Sequence, residues 1–239
     1  MTATSGTITG LDPQAARMLG LTDPAPSDAE DAPVPPALRT LASRLDPRPP
    51  PVADSTPPAA VLALFGAGED PSLVLTLRAD TLRDHPGQIS FPGGAWEPGD
   101  ADARATALRE AHEEIGLDPS AVHPLGCLPA RRIPVSGHDV VTVVGWCAPH
   151  VRLGVADPQE VERILRWSVS DLAEPAHRVT STHPGGHTGP AWVFGDDFLW
   201  GFTALLVDRL LELGGWAVPW DQDHVVPVPS RYARSIRRR

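Results

Sequence analysis

The chain of 239 residues contains no lysine, so all 20 basic side chains are arginine. This bias fits coding composition better than function, and it removes Schiff-base and lysine-nucleophile chemistry. Cysteine is almost as scarce. Cys127 and Cys147 are the only two, and both stand in apolar, strand-like surroundings. They read as small buried thiols rather than a disulfide. Without a matching His/Cys set they do not suggest zinc. No run approaches the ~18 consecutive apolar residues of a membrane span. The start, Met1-Thr2-Ala3-Thr4-Ser5-Gly6, has neither the basic residues nor the apolar run of a secretory signal. The expectation is a cytoplasmic protein with no membrane partner. Positive charge is also short, with 20 basic against 30 acidic residues and a net charge of −10. That balance speaks against nucleic acid as a partner.

A hydrophobic content of 41% is enough for a real core, and the length suits one domain with long ends. Residues 1–56 are rich in Pro, Ala, Asp and Ser, and read as a linker or lid with a short helix at 37–45. A catalytic-looking domain covers 57–229. The basic tail at 230–239, with Arg231, Arg234, Arg237, Arg238 and Arg239, leaves −15 on the remainder. It reads as a solubilising end rather than a docking site. Strands are expected at 60–65, 73–78, 122–128, 140–146 and 164–168, with another at 191–194. An apolar helix is expected at 201–213. The order β, β, β, α, β, β, β, α suggests an α/β fold, a mixed β-sheet between helices in an α/β/α sandwich. No internal repeat is visible.

The densest chemistry lies in Arg109-Glu110-Ala111-His112-Glu113-Glu114-Ile115-Gly116-Leu117. Glu110, Glu113 and Glu114 stand at i, i+3 and i+4 and share one face of a helix, while Leu108, Ala111 and Ile115 fall on the other. Three like charges on one turn repel. Either a hard divalent cation offsets the repulsion, or the turn is a solvated acidic face. Upstream, Phe91-Pro92-Gly93-Gly94 ends a strand and Glu97-Pro98-Gly99-Asp100 follows as a turn. Asp100 or Asp102 can cap a helix starting near Ala103, and Gly116 can end it. The Gly93-Gly94 backbone could form a floor for phosphate oxygens. Arg109 lies four residues before Glu113, within reach to pair with it and fix its orientation.

These residues resemble the Nudix box, G-x5-E-x7-R-E-U-x-E-E-x-G-U. The second half is present from Arg109 to Leu117, with Ala111 at the aliphatic position. The first half is one residue longer between Gly94 and Arg109, and Asp100 stands near the usual early glutamate. Just upstream, Val74-Leu75-Thr76-Leu77-Arg78-Ala79, then Arg83, Gly87 and Phe91-Pro92-Gly93-Gly94, resemble the second signature of the coenzyme A pyrophosphatase branch. Only Val74 departs from it, and that branch carries the same one-residue expansion. Ile133 to Gly145, the segment at Asp157-Pro158-Gln159-Glu160-Val161 and the one at Trp200 to Ala204 are similar to family segments more loosely. In the first of these, His138 replaces an aromatic residue and Thr142 a proline.

The resemblance implies a Nudix-type sandwich and a metal-dependent hydrolase. Glu110, Glu113 and Glu114 would hold Mg²⁺ or Mn²⁺, helped by the Gly94 carbonyl. Glu160 is one choice of general base and Glu113 the other. Glu160 also has a purely structural reading, as a charge at a helix N-terminus. Arg109 completes the catalytic candidates. Arg78 and Arg83 would read phosphate, with Gly87, Gln88, Gly93 and Gly94 lining the substrate; alternatively one arginine anchors the loop in a salt bridge. The expected substrate is a small molecule, coenzyme A or a derivative, cleaved to 3′,5′-ADP and a 4′-phosphopantetheine product. Another nucleoside diphosphate derivative (ADP-ribose, a dinucleotide or an oxidised nucleotide) is the nearest rival. A non-catalytic ligand sensor is a more distant one, and a homodimer is left open as the assembly. His85, His138, His183 and His187 match no metal spacing. Trp192, Trp200, Trp216 and Trp220 read as core or edge aromatics.

Overall fold

The central strand β1, Pro58–Gly66, is an almost unbroken apolar run with Leu62, Ala63, Leu64 and Phe65 all buried. Such a run suits a strand covered on both faces. A computed structural model describes residues 32–48, 58–133, 137, 139–183 and 185–232. The expectations for 1–31, for 49–57, for 134–136 and His138, and for the tail beyond Tyr232 lie outside the described residues. So does the linker or lid reading over those stretches.

Strand β2 is Ser72–Arg78, β3 Ile89–Ser90, β4 Gly93–Ala95, β5 His123–Arg132, β6 Asp139–Cys147 and β7 Val161–Ser168. β6 lies parallel to β1 along its length, from Pro58↔Asp139 to Gly66↔Cys147, and β5 continues the sheet beyond it. β2 meets β1 only at Phe65↔Leu73 and Gly66↔Ser72, and then the two diverge. The wedge between them is filled by β3 on β2 and β4 on β1. Phe91-Pro92 is therefore a link between two short strands, and Gly93-Gly94 open the second of them rather than end the first. Pro92 has no N–H to give a ladder, and its carbonyl accepts from Leu62 N at 2.8 Å. Gly93 is required there. Its φ is +152°, and a Cβ would come within 2.3 Å of the Ala60 carbonyl oxygen.

Short helix α1, Arg39–Ala42, precedes β1, and α2 is Ala103–Ile115. Asp102 caps α2 by accepting from Ala105 N, and Gly116 ends it at φ +62°. α2 buries Ala103, Ala107, Ala111 and Ile115 against Ala60, Leu62, Leu64, Val141 and Val143. Ile115 at the end of α2 and Leu117 just beyond it are fully buried in this core, which is worth about 1.5–3 kcal/mol each. Helix α3 is Val169–Ala173, and α4, Gly201–Gly214, covers the other face of the sheet, where Leu206, Val207, Leu210 and Leu211 pack with Phe65 and Leu75. Leu38, Leu41 and Leu45 belong to the same core, and Arg44 donates to the carbonyls of Glu212 and Leu213. The result is the α/β/α sandwich expected from the element order.

A second, four-stranded sheet was not expected. It comprises β8 Arg178–Thr182, β9 Thr188–Phe194, β10 Asp197–Leu199 and β11 Val225–Pro227 in the order β10-β9-β8-β11. Among the described residues no helix is long and apolar enough to cross a membrane. Cys127 and Cys147 are free and buried, and burial pushes both thiols up to about 11. Both are expected to resist alkylation at pH 8 until the protein unfolds. Rapid labelling of the native protein, followed by mass spectrometry, would contradict this packing.

Candidate active site

The three carboxylates on α2 are not equivalent. Glu114 is 4% exposed, whereas the side chain of Glu113 is 55% exposed. Glu110 lies between them at 16%. Burial is the main cause that raises the Glu114 carboxyl, to about 8, with Glu110 and Glu160 adding repulsion and Arg78 opposing it. Burial also raises Glu110, against the pull of Arg109. Both carboxyls lie on Gly93-Gly94. Gly93 N donates to Glu114 Oε2 at 3.3 Å, and a Cβ on Gly94 would come within 2.4 Å of Glu110 Oε1. Any side chain at Gly94 would displace that carboxylate.

Arg109 is fully engaged by the protein. Nε donates to Asp100 Oδ1, Nη2 to Asp100 Oδ2 and the Ala95 carbonyl, and Nη1 to Glu110 and Glu113, at 2.9–3.2 Å. A guanidinium has five N–H donors, so none is left for a substrate. Asp100 is not the helix cap. It also accepts from Glu97 N and Thr106 Oγ1, and the Arg109 guanidinium holds its carboxyl below the usual range. Asp100, near the position of the usual early glutamate, thus holds this arginine by two of its nitrogens. Asp100→Asn weakens the fork, and kcat is expected to fall about 10–100-fold with little change in KM. Unchanged steady-state kinetics would remove Asp100 from the account.

Glu160 joins the cluster through the backbone. The turn before it closes over the C-terminal end of α2, where Gly154 N donates to the Ile115 carbonyl and Ala156 N to the Glu114 carbonyl. Glu160 N then donates to Asp157 O, and its own carbonyl accepts from Ala79 N at 2.8 Å. Strand β7 starts at Val161, so the reading of Glu160 as a helix-terminal charge falls. Its charge is near enough to raise both Glu110 and Glu114.

Arg78 ends β2 beside Glu114. Its Nε is buried with no hydrogen-bond partner, and among the described residues it makes no salt bridge. Arg83 is exposed on the following loop. Gly87 and Gln88 shape that loop: Gly87 has φ +64°, and the Gln88 carbonyl accepts from Arg78 N at 2.9 Å. Five residues far apart in the chain thus converge, namely Arg78, Gly94, Glu110, Glu114 and Glu160. Glu113 reaches the group through Arg109. Sequence reasoning missed the helix-capping turn at Gly154 to Asp157, which left no signal beyond a glycine and an Asp-Pro pair.

Among the described residues no three acidic, histidine or cysteine side chains close around one point. The donor set nonetheless suits Mg²⁺ or Mn²⁺. Such ions keep several waters and take one or two carboxylates plus substrate phosphate oxygens. Two crowded, buried carboxyls with raised proton affinity are groups a cation would stabilise. Away from this cluster, a cavity of about 540 Å³ is lined by Arg178, Asp208 and Trp220 among others. Its arginine lies between Trp192 and Trp220, at 4.7 and 4.5 Å from the rings, and pairs with Asp208. It contains none of the expected site residues.

The NUDIX domain family model matches residues 55–184. A protein of Enterobacter sp. (strain 638), described as "Uncharacterized Nudix hydrolase NudL", is 38% identical over 164 residues, covering 65% of this chain and 82% of that one. The protein so described from Escherichia coli (strain K12) is 37% identical over 164 residues, with the same coverage of 65% and 82%. The crystal structure of a Nudix hydrolase from Nitrosomonas europaea aligns with a TM-score of 0.46 at 11% identity, covering 74% of this chain and 83% of that one.

Proposed function

The chain belongs to the Nudix family, and from that premise we propose that it hydrolyses the diphosphate bond of coenzyme A or one of its derivatives. The products are 3′,5′-ADP and a 4′-phosphopantetheine compound. The observation that carries the substrate reading is the buried, unpartnered Nε of Arg78, set beside the carboxylate cluster in the motif running to Gly94. A buried guanidinium N–H left without a protein acceptor in such a place suits a phosphate oxygen. Arg83, exposed on the next loop, suits a second phosphate.

Glu110, Glu114 and the Gly94 carbonyl, with Glu113, would hold Mg²⁺ or Mn²⁺. When bound there, the ion would neutralise the diphosphate oxygens and lower the pKa of the attacking water. Glu160 takes the proton from that water, and Arg109 orients Glu110 and Glu113 without touching substrate. The amide N–H of Gly93 is engaged by Glu114 and steadies that carboxylate. We also propose the partition into an extension at 1–56, a catalytic domain at 57–229 and a tail at 230–239, with the helix at Arg39–Ala42 docked on the domain and Arg231 and Tyr232 of the tail packed on its second sheet. The reaction belongs to the cytoplasm.

The test is a substrate panel with Mg²⁺ or Mn²⁺. Coenzyme A and its thioesters should give the highest kcat/KM. If coenzyme A stays intact while ADP-ribose, a dinucleotide or an oxidised nucleotide turns over, the substrate assignment fails and the reaction class survives.

A further inference from the structure

The loop from Ala79 to Gln88 has a strained backbone. Two of three consecutive residues are left-handed, His85 at φ +56° and Gly87 at φ +64°. His85 is the one non-glycine residue with positive φ among the described residues. Such a conformation persists only where the surroundings hold it. Asp80 and, from the far end of the chain, Tyr232 flank Gly87: a Cβ there would meet Asp80 Oδ1 at 2.5 Å and the Tyr232 ring at 3.9 Å.

Tyr232 is 3% exposed and packs with Val179, Ala191, Phe198 and Val228, the small core of the second sheet. Its neighbour Arg231 donates to the Asp196 carbonyl and lies 4.9 Å over the Tyr232 ring. A second anchor joins the sheets nearby, where Arg163 on β7 pairs with Asp197 on β10. Arg163 lies opposite Leu77, next to Arg78 in the chain and three residues beyond Glu160. The second sheet is therefore fastened to the end of β2 and β7 that carries the proposed substrate arginines and base. Both Tyr232 and Asp197 lie beyond the family-matched residues 55–184.

We propose that Tyr232 is a positioning residue, which holds the Ala79 to Gln88 loop in the shape that presents Arg83 to the substrate and so sets substrate affinity. This rests on the reading that Arg83 contacts a substrate phosphate. A residue that merely stabilised the second sheet would change thermal stability without a selective effect on KM. A positioning residue acts on KM, and acts through the arginine it presents.

The experiment is steady-state kinetics of the full chain with Mn²⁺, on whichever nucleoside diphosphate derivative it turns over fastest. The variants are Tyr232→Ala, Arg83→Ala and the Arg83→Ala/Tyr232→Ala double. The expected result for Tyr232→Ala is a KM raised about 10-fold or more with kcat within about 2-fold. The double variant should be no worse in KM than Arg83→Ala alone. A raised KM in Arg83→Ala beside an unchanged one in Tyr232→Ala overturns the positioning role alone. The same holds if the two effects multiply in the double variant. An unchanged KM in Arg83→Ala overturns the reading that Arg83 contacts substrate, and this proposal with it. Should Tyr232→Ala fail to fold, Tyr232→Leu keeps the apolar bulk and is judged by the same outcomes.

Discussion

Glutamine in place of Glu114 is expected to cut turnover and, at the same time, to stabilise the metal-free protein at pH 8. Loss of groups that only support metal ligands costs about 10–100-fold, so loss of a ligand should cost on the order of 10²-fold or more. The stability effect follows from burial. Burial raises the Glu114 carboxyl from 4.5 to about 8. Between those values the native protein holds a proton that the unfolded chain has released. The stability from this group is fully present below about pH 4.5 and is lost as pH rises through about 8. Glutamine never ionises and removes that slope. Thermal melts in chelator at pH 5 and pH 8, beside steady-state kinetics, check both halves. An unaltered pH slope in Glu114→Gln would mean that the carboxylate is not desolvated as described. Retained turnover would remove it from the metal site.

The second large effect is expected at Glu160. General base catalysis is typically worth about 10²–10⁴-fold, and Glu160→Gln should lower kcat by that order. Glu113→Gln should cost less, because Glu113 is tied to Arg109 and faces solvent. A kcat retained in Glu160→Gln and lost in Glu113→Gln would move the base to Glu113.

Much of this site is legible in the sequence. The helix from Ala103 to Gly116 follows from a capping aspartate, a closing glycine and an apolar stripe. The pairing of Arg109 with Glu113 follows from their spacing. Spacing could not distinguish the three carboxylates. Glu114 is buried and Glu113 exposed because Gly93-Gly94 and the Gly154 to Asp157 turn close over one side of the helix, and both come from elsewhere in the chain. The split of β1 from β2 was invisible for a related reason. Phe91-Pro92 reads as a strand end in isolation, and only the divergence of its two neighbours makes it a wedge. Of the second sheet only the strand at 191–194 is expected from the sequence, within β9; β8, β10 and β11 are shorter, and β11 is separated from β8 by a whole helix.

The proposed site joins carboxylates on α2 to Arg78 at the end of β2 and Arg83 on the following loop, around the diphosphate of coenzyme A. Incubation of the protein with coenzyme A and Mn²⁺, followed by chromatography and mass spectrometry of the products, tests this reading. Equimolar 3′,5′-ADP and 4′-phosphopantetheine are expected, with neither formed in chelator or by Glu114→Gln. Intact coenzyme A, under conditions where another nucleoside diphosphate derivative is cleaved, would contradict the claim.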